Sequence, residues 1–112
     1  MINTVKRKEL LNAIIHGGKQ VNMVKIQEVV MDVGIDAPLH LHPCPTMGIV
    51  LEGEIIYQGE NEEGKILRIG DAFYEPANAH ILKFNNCGSI PAKFAVFYLL
   101  EKCDDKTIEI IE

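Results

Sequence analysis

The sequence lacks any apolar run that approaches the roughly 20 residues needed to cross a bilayer as a helix. Its longest apolar stretch, residues 94–100, has only the length of a β-strand. Residues 1–15 carry charges in their middle and contain no apolar run of the kind found in secretory signal peptides. We therefore expect no membrane partner, no secretory leader and a cytoplasmic location.

Basic residues and regularly spaced cysteines are also scarce. The 112 residues include 11 lysines and arginines against 16 aspartates and glutamates, which gives a formal net charge of −5. Nucleic-acid binding needs a basic surface, and the short cluster at residues 6–8 does not supply one. The three cysteines cannot all pair with one another and show no CxxC spacing. We expect a reduced protein with no nucleic-acid partner.

Short apolar segments separated by turn residues fill most of the chain, whose length suits a single domain. Strands of five to ten residues at this spacing indicate an all-β sandwich or barrel. In the first of them, residues 24–33, the alternation changes phase, which predicts either a bulge or a strand that passes between two sheets. Residues 4–15 fit either a short helix capped by Thr4 or an extended arm on a neighbouring sheet. The other predicted strands are 47–51, 55–57, 66–69, 72–75, 80–84 and 92–101.

Two histidines, His40 and His42, lie two residues apart in a proline-rich stretch. The residue before a proline is disfavoured in the helical region, so Pro43 favours extended backbone at His42. In an extended strand, side chains at positions i and i+2 point to the same face. Two imidazoles on one face can bind a single ion at about 2.0–2.1 Å from each nitrogen. The spacing of the pair therefore predicts that both histidines can bind the same metal ion.

The stretch that contains these histidines resembles the first motif of the cupin family, Gly-x5-His-x-His-x3-Glu-x6-Gly. The motif falls on Gly34, His40, His42, Thr46 and Gly53 with every spacing kept. One residue type departs, because Thr46 stands at the glutamate position. A neutral threonine hydroxyl is a poorer metal ligand than a carboxylate.

A second stretch resembles the second cupin motif, Gly-x5-Pro-x-Gly-x2-His-x3-Asn, less closely. Asn78 stands at its inner glycine and Ile81 at its histidine, with His80 one place early. The matching positions are Gly70, Pro76 and Asn85, and the whole resemblance covers about residues 20–101. It implies an all-β jelly-roll barrel, a double-stranded β-helix, with residues 1–112 forming one cupin domain that has a short N-terminal arm or helix.

The resemblance also implies that the histidines and the glutamate of the two motifs hold one divalent metal. His40 and His42 carry over directly. For the third ligand we expect His80, because alternation places it on the face of Leu82 and Phe84 while Lys83 faces water. Three histidines with water suit Zn, Ni, Fe, Mn or Cu. The metal can also be absent, because Thr46 replaces the glutamate that usually binds it.

Four other residues are candidates for the pocket. Cys44 lies two residues after His42, so strict alternation would place its side chain on the face of the two histidines. Thr46 holds the position of the missing glutamate. Glu75 ends a predicted strand from which it can reach the pocket mouth, and Tyr57 is an aromatic that can line a cavity. For each of them a role in the core or on the surface is the alternative.

Three functions remain open from the sequence, and the least informative is a structural role in which an inert barrel works through dimer contacts. A metal-dependent enzyme of the oxygenase or isomerase type would use the ion on a small organic substrate. A non-catalytic module that binds or senses a small molecule is the alternative, favoured by Thr46 and by the displaced His80. The resemblance further implies a homodimer, with the N-terminal segment and residues 94–100 as packing surfaces.

Overall fold

The protein is described here by a computed structural model that covers residues 4–112. All regular structure in this range is β-strand, and no helix that could span a membrane occurs in it. The nine strands are β1 (Met23–Met31), β2 (His40–Leu41), β3 (Thr46–Glu52), β4 (Ile55–Gly59), β5 (Lys65–Leu67), β6 (Ala72–Glu75), β7 (Ile81–Asn86), β8 (Ala92–Leu100) and β9 (Glu109–Ile110).

The strands form two antiparallel sheets. One has the order β1-β8-β3-β6, which we call sheet A, and the other has the order β5-β4-β7-β2-β9, which we call sheet B. Alternating residues of β8 are buried along its whole length, so one face of sheet A turns inward. Phe84 of sheet B contacts Phe73 and Phe94 of sheet A, with ring centroids 5.4 and 4.9 Å apart. One hydrophobic core therefore lies between the two sheets, and the fold is the predicted jelly roll.

Both alternatives predicted for the first strand, a bulge and a passage between two sheets, are wrong. β1 pairs with β8 residue by residue from Met23 to Met31, with no shift of register. The apparent change of phase arises because both faces of this edge strand are largely exposed, so its pattern does not report a core. Register shifts occur instead in the pairing of β3 with β8 and of β4 with β7.

The N-terminal segment contains no helix, so that alternative is wrong for the described residues. Residues 4–15 have no regular structure, and most of their side chains are exposed, including Ile14 at 72%. An extended arm packed on a sheet is not confirmed either.

The chain continues beyond the predicted barrel and returns to sheet B. β9 pairs with β2, His40 opposite Ile110 and Leu41 opposite Glu109, and the Ile111 amide donates to the Leu39 carbonyl at 2.9 Å. This C-terminal segment therefore pairs with the strand that begins at His40 and that His42 follows.

Candidate metal centre

His40 and His42 lie together inside the barrel, as their spacing predicts. His40 begins β2, and His42 follows it just past the strand end. Their exposed fractions are 5% and 6%, and their rings meet edge to face with centroids 5.1 Å apart. Buried polar side chains need partners, and the partners of this pair define the site.

Each imidazole is oriented by a backbone carbonyl. Nδ1 of His40 donates to the carbonyl oxygen of Pro38 at 2.7 Å, and Nδ1 of His42 donates to that of Thr107 at 2.6 Å. Because a carbonyl only accepts, the proton of each neutral ring is on Nδ1 and the lone pair is on Nε2. Orientation by carbonyls in this way is typical of metal-binding histidines.

The third member of the cluster is Glu75, at the end of β6. Phe73 is in the core, and Glu75 lies two residues further on the same face, where its exposed fraction is only 3%. Ligand atoms of His40, His42 and Glu75 all lie within 4.8 Å of one another. Donors around one ion are roughly 3–4 Å apart, so small side-chain adjustments bring the three into a coordination shell.

The contact between His42 and Glu75 brings two acceptors together. Nε2 of His42 is 3.2 Å from Oε2 of Glu75, which is buried and makes no well-formed hydrogen bond to any described residue. Burial lowers the pKa of His42, but the neighbouring Glu75 and the Thr107 carbonyl outweigh it and raise that pKa. A proton on Nε2 or a metal cation between the two atoms removes their repulsion.

These residues fit a divalent metal ion. Two neutral imidazoles and one carboxylate, all buried, form a donor set that leaves further coordination positions free. The carboxylate also compensates part of the charge of the ion, which three histidines would not. His40, His42 and Glu75 can therefore hold a metal ion.

The structure does not bring His80 into this cluster, which corrects the predicted three-histidine set. The His80 side chain is 44% exposed, and its Nδ1 is 3.4 Å from Oε1 of Glu60. The His80 backbone is also held outside, since its carbonyl accepts from the amide of Glu60 at 2.9 Å.

A bulge explains why alternation misplaced His80. Gln58 pairs with Lys83 and Gly59 with Ile81, which leaves Leu82 as the additional residue of β7. Ile81 and Phe84 are both buried, while Leu82 is 46% exposed. Ile81, which holds the histidine position of the second motif, is directly opposite His40 and carries no metal donor.

Thr46 is fully buried and lies opposite Glu75 on the neighbouring strand. β3 and β6 pair Thr46 with Glu75, and both side chains face the core. The Thr46 hydroxyl donates to the carbonyl oxygen of Cys44 at 3.0 Å, so it is occupied by the local backbone. The carboxylate absent from position 46 is thus present on the neighbouring strand.

Neither Cys44 nor Tyr57 joins the cluster of His40, His42 and Glu75. Both are 1% exposed, in the core. Burial raises the pKa of the Cys44 thiol, which disfavours the nucleophilic thiolate. Burial likewise raises the pKa of Tyr57, whose hydroxyl lies 3.3 Å from both Oε2 of Glu62 and the carbonyl oxygen of Tyr74.

A cavity of about 250 Å³ opens beside the three candidate ligands. Its walls come from both sheets, from residues 35–38 and from Ile108 of the C-terminal segment. Sequence reasoning missed this segment, which supplies both a wall and the carbonyl that orients His42. The alternation of Phe73 and Glu75 in β6 is the signal that points to Glu75.

A comparison with protein families finds the cupin domain over residues 27–98, more than half of the chain. The chain belongs to the cupin family. A comparison with curated proteins finds no match.

Solved structures similar to this cupin include an oxalate oxidase in complex with the substrate analogue glycolate, with a TM-score of 0.69 and 21% identity over 79% of this chain and 46% of that chain. The DMSP lyase DddQ from Ruegeria pomeroyi gives a TM-score of 0.67 and 20% identity over 78% and 42%. An RmlC-like cupin from Methanocaldococcus jannaschii gives 0.62 and 25% over 68% and 69%. This chain thus spans less than half of the oxidase and of the lyase.

Proposed function

We propose that this cupin binds one divalent metal ion through His40, His42 and Glu75 and uses it on a small organic molecule held in the adjacent cavity. The observation that carries the proposal is the buried Oε2 of Glu75, which faces Nε2 of His42 at 3.2 Å without a hydrogen bond. A buried carboxylate oxygen without a partner is costly, and a bound cation compensates it.

When bound, the ion supplies a Lewis acid or an oxygen-activating centre, which suits an oxygenase or isomerase type of reaction. The carbonyl oxygens of Pro38 and Thr107 keep both imidazoles in the tautomer that binds a metal. Glu75 lowers the net charge of the site, and the apolar walls exclude water from the bound molecule. The oxidase and lyase among the similar structures support an enzyme rather than a passive binding module.

The first test is metal content by mass spectrometry on untagged protein after reconstitution. We expect about one equivalent in the wild type, loss in His40→Ala, and retention in His80→Ala, because His80 lies outside the cluster. His80→Ala is the matched control, since it also removes one imidazole. Metal-free wild-type protein after reconstitution, or loss in His80→Ala with retention in His40→Ala, would contradict the proposal.

We also propose that a second copy of the chain covers the outer face of sheet A. Val24, Ile26 and Val30 of β1 are 54–61% exposed. Opposite Val24 and Ile26, β8 presents Leu99 and Phe97 on the same face. Met47 and Ile49 of β3 extend this apolar face across the sheet. Contiguous apolar faces of this kind are typical of protein interfaces. A symmetric homodimer would bury this face of sheet A on both protomers.

The dimer is tested by introducing one charge into this face. Ile26→Glu is expected to convert a dimer to a monomer, because the carboxylate would be buried without a partner. Ile66→Glu is the matched control, since Ile66 is exposed on sheet B. Molar mass by light scattering at micromolar concentration measures the result. A monomeric wild type, or a dimeric Ile26→Glu variant, would contradict the proposed interface.

A further inference from the structure

The cavity beside His40, His42 and Glu75 is apolar almost everywhere except at these three side chains. Among the fourteen described residues that line it, none is lysine or arginine. The apolar lining comes mainly from β1, β7 and β8 and includes Val29, Met31, Phe84, Phe94 and Val96. Tyr98 contributes a ring against His42, with centroids 5.7 Å apart. The walls therefore offer contact area and no cation for an anionic group away from the metal.

The charges of the cavity limit what it can hold. Glu75 and Asp36 are its acidic residues, and Asp36 is at an exposed position. A divalent ion bound by His40, His42 and Glu75 leaves a net charge of about +1 at the cluster. One anionic donor group neutralises this charge. A second anionic group would face apolar walls without a partner, which is strongly unfavourable.

The volume sets the size of the molecule. An apolar cavity of about 150 Å³ holds a benzene molecule. A cavity of about 250 Å³ therefore has room for one substituted ring or a short aliphatic chain. Larger molecules such as nucleotides or disaccharides do not fit without movement of the walls.

We infer that the ligand of this cavity is a small molecule with one metal-binding donor group, at most one negative charge, and an apolar body. The inference rests on the proposed function, since it places the donor group on the metal. It separates monocarboxylates, phenols and similar compounds from dicarboxylates and phosphorylated compounds, for which the walls offer no second charged partner.

Two probes of matched shape test the inference. Benzoate and terephthalate share a ring and a carboxylate, and terephthalate adds a second carboxylate at the opposite end. Calorimetric titration into metal-loaded protein is expected to show at least about tenfold tighter binding of benzoate. Equal affinity for both, or no binding of either, would overturn the inference. Metal content is measured on the same sample, so failure of the proposed function appears separately as absent metal.

A variant that supplies the missing cation makes the test specific. Val29, half-buried in the cavity wall on an edge strand, allows an arginine to extend into the cavity mouth. Val29→Arg is expected to improve terephthalate binding and reduce the preference for benzoate to less than about threefold. Leu82→Arg is the matched control on the exposed side of β7 and should keep the wild-type preference. An unchanged preference in Val29→Arg, with metal still bound, would overturn the charge argument.

Discussion

Replacing Glu75 with glutamine is expected to weaken metal binding by at least about 100-fold while the barrel remains folded. Loss of residues that only orient metal ligands already costs 10–100-fold, and Glu75 supplies a donor atom and the negative charge of the set. Glutamine has the same shape, so the core around Phe73 loses no volume. The expected change is thus in metal affinity rather than in packing.

Thermal unfolding with and without metal separates these effects. At a metal concentration about 100 times Kd, binding stabilises the wild type by about 2.7 kcal/mol, which is roughly 10 °C for a domain of this size. The Glu75→Gln variant should show no such rise, and its metal-free Tm should stay within a few degrees of the metal-free wild type.

Glu60→Gln is the matched control for this substitution. Glu60 also lies beside a histidine, His80, but both side chains are about half exposed and outside the cluster. This variant should keep the full metal-dependent rise in Tm. A Glu75→Gln variant that keeps it too would remove Glu75 from the ligand set.

The sequence predicted the fold and the proximity of the two histidines because both depend on local patterns. Short apolar segments between turns indicate a β-barrel, and the i, i+2 spacing places His40 and His42 on one face. Neither inference requires knowledge of which strands are neighbours. The structure confirms the jelly roll and the proximity of the two side chains.

The third member of the candidate site could not be predicted from local patterns, because its position depends on strand pairing and on one irregularity. Alternation fails at Leu82, the additional residue in the bulge of β7, so His80 falls outside. No local signal in the sequence marks this bulge. Alternation holds in β6, where Phe73 and Glu75 share the inward face, but a carboxylate at a strand end also suits a solvated position. The structure shows which is correct, because Glu75 is paired with the buried Thr46 and is itself only 3% exposed.

Exchanging the two residues of that pair is the second large effect that we expect. In Thr46→Glu with Glu75→Thr, the carboxylate moves across the β3–β6 pair to the position where the cupin motif has its glutamate. Both positions are buried and face the core, and the exchange keeps the total side-chain volume. We expect metal affinity within about tenfold of the wild type, which is a recovery of at least tenfold over Glu75→Thr alone.

The single variants provide the controls for the exchange. Glu75→Thr removes the carboxylate and should lose metal binding. Thr46→Glu places two carboxylates in one buried pair, and their repulsion should lower the metal-free Tm. These opposite defects should cancel in the double variant, since residues in direct contact are strongly non-additive. Metal titration of all four proteins measures the coupling.

The outcome decides whether the position or only the presence of the carboxylate matters. Recovery would mean that the site tolerates its acidic ligand on either of two adjacent strands, so Thr46 is a compensated departure from the cupin motif. A double variant that folds but binds no metal would show that only the β6 position directs an oxygen at Nε2 of His42, where Oε2 of Glu75 now lies at 3.2 Å. The donor set would then be specific to this arrangement of strands, and Thr46 would serve only to fill the core.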